Sequence, residues 1–305
     1  MALKIRRCFI FVLLTGLLAF QGGCVKQMAI NALGDALAGN GSGFGSDDDP
    51  ELVRDASAFG LKTIEGLIVS APEHEGLLLA ATSGFTQYAF AFIQMEADYL
   101  EARDSAEARR LRLRAYRMYK RARRYGLRAM GLIIEDPLEA LRADSAEALS
   151  HFQMEHAAIL YWTAAAWAAA VSLNKDDSAL AVDLDLVEAM MKRVAEVSPG
   201  YGGGAVHDFL VSWEAGRPAA AGGSIERAKV HHAAAIAASK GQRIAPLVSY
   251  AEVICVREED KACFRKKLRA ALDFDLESAP EQRLVNLISR RRAAWLLTQE
   301  EELFF

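Results

Sequence analysis

The chain has 305 residues, 52% of them apolar, which excludes a disordered chain and is enough to bury a large core. Its 36 basic and 40 acidic side chains leave a net charge of −4, which selects no polyanionic or polycationic partner. Seven prolines, set against an abundance of Ala, Leu, Arg and Glu, favour helix over strand.

The first residues read as an export signal. Lys4, Arg6 and Arg7 form a positive start, and Cys8 to Phe20 is an apolar run broken only by Thr15 and Gly16. That run is shorter than the roughly 20 residues a membrane-spanning helix needs. Gln21, Gly22 and Gly23 lead into Cys24, so the expectation is a lipoprotein signal over 1–23 with lipid on Cys24. Gln21 stands where such signals carry leucine, and an ordinary cleaved signal or an uncleaved anchor are the alternatives. Each acyl methylene buried in a membrane contributes about 0.8 kcal/mol, so several chains on one terminus hold firmly. Residues 24–46 end in a Gly- and Ser-rich stretch, Gly39 to Ser46, and read as a flexible tether. The folded body is expected over 47–305 as one helical domain.

No stretch of the body alternates with period 2 between turn signals, whereas apolar residues recur at helical spacing nearly throughout. Asp49-Pro50-Glu51 opens a helix that runs to about Val69. Further helices are expected over about 75–102, 105–134, 146–173, 183–197, 204–215, 224–240, 243–255, 260–273 and 280–297. Pro72, Pro137 and Pro199 are each read as closing a helix. Counting back five, eight and twelve residues gives Leu67, Ile64 and Gly60, then Leu132, Ala129 and Tyr125, then Val194, Met191 and Val187. This spacing is that of the second helix of a tetratricopeptide-type unit, although any packed helix can show it. Ala228, His232 and Ala235 keep a small–large–small pattern with histidine in the large position.

Ala157 to Val171 is apolar on all sides except at Thr163, which makes it a buried helix. Tyr161, Trp162 and Trp167 lie on it, either as core or as the lining of an apolar cavity with polar tips that want partners. Arg110, Arg114, Arg117, Arg121, Arg124 and Arg128 follow steps of four and three and form one stripe. The stripe is either a solvated face with acidic neighbours or a docking surface for an acidic partner or organic anion. Export removes nucleic acid from the expected partners.

Cys255 and Cys263 would sit about 12 Å apart on one straight helix, too far for a disulfide. A turn over Val256 to Glu259, with Asp260 capping a new helix, would bring them together; two buried thiols are the alternative. The six histidines have no metal-ligand spacing, and His207, beside Tyr201 and a triple glycine, is the one best placed to line a site. No nucleophile elbow, P-loop or dinucleotide fingerprint occurs, so neither an enzyme nor a cofactor is expected.

Several stretches together resemble the T-component lipoproteins of tripartite ATP-independent periplasmic (TRAP) transporters. They are Asp47 to Ala56, Gly84 to Ala89, Tyr161 to Ala170, Ser198-Pro199-Gly200-Tyr201 with Gly204 and His207, Gly222-Gly223-Ser224, Arg283 to Leu287, Arg291-Arg292-Ala293 and Leu303-Phe304-Phe305. The resemblance implies an all-α fold of degenerate tetratricopeptide-like helical hairpins in a right-handed superhelical body. It implies a membrane-anchored protein on the periplasmic side that docks a solute-binding P-component and self-associates, with a trimer as the candidate assembly. It also implies an apolar channel for a small hydrophobic organic acid, for which Phe85, Tyr88, Tyr161, Trp162, Trp167, Tyr201 and His207 are the candidate lining. The other reading is an envelope scaffold that binds protein or peptide partners and no small molecule.

Overall fold

The computed structural model describes residues 44–304, and every regular element among them is helical. The expected signal, Cys24 and most of the tether lie outside these residues. Helix α1 (Pro50–Ser70) starts where Asp49 accepts hydrogen bonds from the Glu51 and Leu52 amides at 3.0 Å, with proline in the first turn. Helix α2 (Glu75–Tyr88) runs through a π-helical turn, Ala89–Gln94, into α3 (Met95–Leu100). Asp104 caps α4 (Ser105–Met130) through the Glu107 amide.

Then follow α5 (Pro137–Ala143), α6 (Ser145–Ser150), α7 (Ala157–Leu173), α8 (Ser178–Ala181), α9 (Leu184–Val197), α10 (Tyr201–Gly216) and α11 (Ile225–Ser239). Helix α12 (Ala245–Ser249) continues through a second π-helical turn, Tyr250–Cys255. Helices α13 (Lys261–Leu272), α14 (Arg283–Thr298) and α15 (Glu300–Leu303) complete the chain.

Three expectations are corrected. The helix expected over 146–173 is broken after Ser150. Phe152 turns fully into the core, and the Gln153 amide donates to His156 Nδ1 at 3.1 Å, a capping arrangement that restarts the chain as α7. The helix expected to reach Ile134 ends at Met130. Pro137 opens α5 rather than closing α4, after Asp136 in a left-handed conformation at φ 42°. Its missing N–H costs nothing at a first helical position. Helix α8 lies between the helices expected over 146–173 and 183–197, where no helix was expected.

The larger core gathers around α2, α4 and α7. Leu160, Ala164, Trp167 and Ala170 of α7 are all fully buried, which accounts for a helix with no polar face. Helix α9 adds Met190, Met191 and Val194. The segments Glu75–Leu100 and Met154–Leu173 are long and apolar enough to cross a membrane, with half of each apolar window buried inside the fold. A second core holds Ile244, Val248, Phe264, Leu268, Leu296 and Phe304. Val211, Ala215, Ala228 and Ile254 form a small cluster of their own.

Charges cross from α3 to α14. Asp98 accepts from Arg112 at 3.2 Å and from Arg292 at 2.9 Å, and Arg292 also pairs with Glu252. Within the second core, Cys255 and Cys263 are joined, with Cα atoms 5.7 Å apart. Glu259 takes a left-handed φ of 55° in the intervening turn, and Asp260 caps α13 by accepting from the Cys263 amide at 2.8 Å.

Candidate functional site

Helix α7 carries Tyr161 and Trp162 to the start of α10. The Tyr161 ring lies 4.9 Å from Trp162 edge-on and 5.0 Å from Tyr201. Burial pushes the Tyr201 phenol up to about 12 and the Tyr161 phenol still further. Yet both side chains keep accessible surface.

The turn that follows Tyr201 requires its glycines. Gly202, Gly203 and Gly204 have φ of 58°, 62° and 88°, a left-handed run that side chains strongly disfavour. A Cβ on Gly204 would lie 2.8 Å from the Ala235 carbonyl oxygen, so the turn also lets α10 approach α11. Arg243 lies along this turn, and its Nη1 donates to the Gly202 carbonyl at 2.5 Å. Four residues beyond the turn, Asp208 is half-buried and its carboxyl is pushed up by burial, an effect that the charge of Arg243 only partly offsets. Asp208 Oδ1 and Arg243 Nε are both buried without a hydrogen-bond partner.

The remaining candidate lining residues are dispersed. Phe85 is buried and stacks on Tyr125 at 6.3 Å, whereas Tyr88 meets Phe92 at 5.7 Å. Trp167 is fully buried, its indole donating to the Leu180 carbonyl at 2.9 Å. His207 stacks on His231, with their Nδ1 atoms 3.1 Å apart, and burial lowers both imidazoles. Adjacent His231 and His232 point apart: His232 packs on Tyr250 instead.

Four members of the arginine stripe, Arg117, Arg121, Arg124 and Arg128, line an open groove of about 970 Å³ together with Glu135, Asp136 and Glu139, whereas Arg110 and Arg114 lie outside it. Its members differ in their partners. Arg110 pairs with Glu107 at 2.5 Å, Arg121 lies 3.5 Å from Glu65, and Arg128 donates to the Pro72 carbonyl at 2.8 Å. Arg114, Arg117 and Arg124 are exposed and, among the described residues, in no ion pair. Lys120 and Arg123 also line the groove. The Arg123 guanidinium sits 3.7 Å from the centre of the Trp167 ring. Burial lowers it to about 10, and Asp183 offsets part of that cost.

Comparison with known sequences decides the family. The family model described as TRAP transporter T-component matches residues 46–304. The chain belongs to this family. It is also 28% identical over 315 residues to an uncharacterized protein of Treponema pallidum (strain Nichols), covering 97% of each chain. T-components are accessory parts of a transporter at the cell envelope, not enzymes, and their place in that transporter implies a P-component partner.

In this T-component, Tyr161, Trp162 and Tyr201 come together although 39 residues separate the outer pair in sequence. Their clustering needs the α7–α10 crossing, which no local pattern discloses. Asp208 and Arg243 escaped the sequence reading for the same reason. The available signal was the triple glycine, whose left-handed turn forms a close approach for a neighbouring side chain. Among the described residues, no group of three or more His, Cys, Asp or Glu is placed to hold a metal.

Proposed function

We propose that this T-component holds or passes a small apolar organic acid and docks the solute-binding P-component of its transporter. The observation that carries the ligand reading is the Tyr161–Trp162–Tyr201 cluster, desolvated yet partly accessible. Apolar walls with a few convergent polar groups are the usual make-up of a small-molecule site. Docking rests on the family and on the exposed, unpaired Arg114, Arg117 and Arg124, which offer charge to an acidic surface.

The helices are read as degenerate tetratricopeptide-like hairpins forming one superhelical body, as the family resemblance implies and as the apolar spacing of α1 and α9 before Pro72 and Pro199 supports. Lipid on Cys24 would hold this body on the periplasmic side of a membrane, and a homo-trimer is the candidate assembly. The test is co-migration of the purified protein with its cognate P-component on size exclusion, with and without an apolar carboxylate such as 4-methylpentanoate. A complex is expected at low salt and weakens as salt rises. No complex at high micromolar concentrations of both proteins would remove docking from this reading.

A further inference from the structure

The groove that follows α4 from Arg117 to Gly131 holds more positive charge than its own lining neutralises. Arg117, Lys120, Arg121, Arg123, Arg124 and Arg128 line it, against the carboxylates of Glu135, Asp136 and Glu139. Among the described residues, no ion pair joins these two sets. Lys120 pairs with Asp177, Arg121 with Glu65 and Glu139 with Arg142, all partners from outside the groove. Arg117, Arg123, Arg124 and Arg128 are, among the described residues, in no ion pair.

A merely solvated stripe leaves its long side chains loose, and binding must then order them. Here aromatic rings hold four of the six cations. The Arg121 guanidinium lies 5.3 Å from the Phe85 ring and that of Arg123 3.7 Å from Trp167. Those of Arg124 and Arg128 lie 5.7 and 5.6 Å from Tyr125. A ring restrains a guanidinium without cancelling its charge. The groove therefore presents positioned cations that still want counter-charge, and Arg117, Arg124 and Arg128 are exposed to receive it.

Spacing and sign narrow the occupant. Arg117, Arg121, Arg124 and Arg128 recur once per turn over about 16 Å of helix. A second helix with Asp or Glu at the same steps of four and three meets each guanidinium in turn. An extended chain repeats its side chains on one face only every ~7 Å, against a helical pitch of about 5.4 Å, and falls out of step. A uniformly anionic surface, such as phospholipid, would also press against Glu135, Asp136 and Glu139, whereas a helix can carry neutral or basic side chains there. Leu127 and Leu138 in the same lining add apolar contact.

We propose that this groove seats an acidic helix of the P-component, with its carboxylates one turn apart on the four stripe arginines. This rests on the docking reading above and adds the place and the form of the partner surface.

The affinity of the purified protein for its cognate P-component at physiological salt tests it. Arg117→Glu with Arg124→Glu should weaken the complex about tenfold or more. Arg110→Glu with Arg114→Glu makes the same change of charge outside the groove and should weaken it less than about threefold. A second measurement needs no charge reversal: a photo-crosslinking benzoylphenylalanine is placed at position 117 or at position 128. The two partner residues captured should lie about eleven apart in sequence, as on one helix, whereas about five marks an extended segment. Equal losses for the two charge reversals, or capture of an extended or of two unrelated segments, overturn the proposal and leave docking standing. Displacement of the P-component by phosphatidylglycerol vesicles that bind the parent but not the groove variant would assign the groove to a lipid surface and also overturn it. If the parent forms no complex at all, the docking reading fails, and this proposal with it.

Discussion

Gly126 of α4 faces Thr163 of α7 so closely that a Cβ on the glycine would lie 2.1 Å from the threonine Oγ1. The threonine hydroxyl is turned back to the Ile159 carbonyl at 2.6 Å, so the contact is backbone against a satisfied side chain. The two helices at the centre of the larger core are thus as near as a glycine allows. Gly126→Ala should push α4 off α7 and destabilise by roughly 1–3 kcal/mol, as overpacking does. Gly66→Ala in α1, where a Cβ would meet nothing within 4 Å, should instead stabilise by roughly 0.5–1 kcal/mol. Urea unfolding of both variants checks the opposite signs.

The Cys255–Cys263 bond closes a short loop in the second core, with a sequence separation of 8. In the chain-entropy account, a loop of this size contributes about 2–3 kcal/mol. Replacing both cysteines by alanine should lower stability by about that amount. It should speed hydrogen exchange in α13 more than in α7, whose contacts belong to the larger core. Equal acceleration in both helices would show that the bond supports the whole fold.

His232 supplies a pH dependence with a definite sign. Burial and the ammonium of Lys267, 3.3 Å from its Nε2, hold the imidazole neutral and lower its pKa to about 4. The unfolded histidine titrates near 6.5. Between those values the unfolded chain takes up a proton that the folded chain refuses. The contribution is therefore complete above about pH 6.5 and is lost as pH falls toward 4. Measured as the difference from His232→Gln, the parent should lose roughly 1–3 kcal/mol across that window. A difference that stays flat with pH would rule the histidine out.

The unpaired members of the arginine stripe should govern encounter with the P-component. Reversing Arg114, Arg117 and Arg124 to glutamate should slow association about tenfold or more at low salt and leave thermal stability nearly unchanged, since none is in an ion pair. Reversing Arg128 should also cost stability, because its guanidinium donates to the Pro72 carbonyl. Stopped-flow association at two ionic strengths separates these effects.

Where a helix begins on an acidic or hydroxyl cap, its start was legible. Asp49 and Asp260 each accept the amide hydrogen bonds of the helix starts read from the sequence, and Asp104 and Ser224 do the same at two further starts. The all-round apolar α7 was equally readable as a buried helix. The break before it was not, because it uses neither glycine nor proline and depends on Phe152 finding a place in the core. Pro137 misled because proline suits a helix start as well as a stop, and only the left-handed Asp136 distinguishes the two. At the site, Tyr161, Trp162 and Tyr201 were suspected as individual residues. Their meeting depends on how α7 and α10 are brought together, which is tertiary information.

The three left-handed glycines carry a last implication. No other triplet loses so much chain freedom on being ordered, so this turn is entropically the part of α10 readiest to let go. Its release must break the bond from Arg243 to the Gly202 carbonyl, which frees the guanidinium at the same moment. Loosening of the turn and release of the Arg243 side chain would then be a single motion. Its signature would be amide exchange at Gly202 to Gly204 running ahead of the rest of α10.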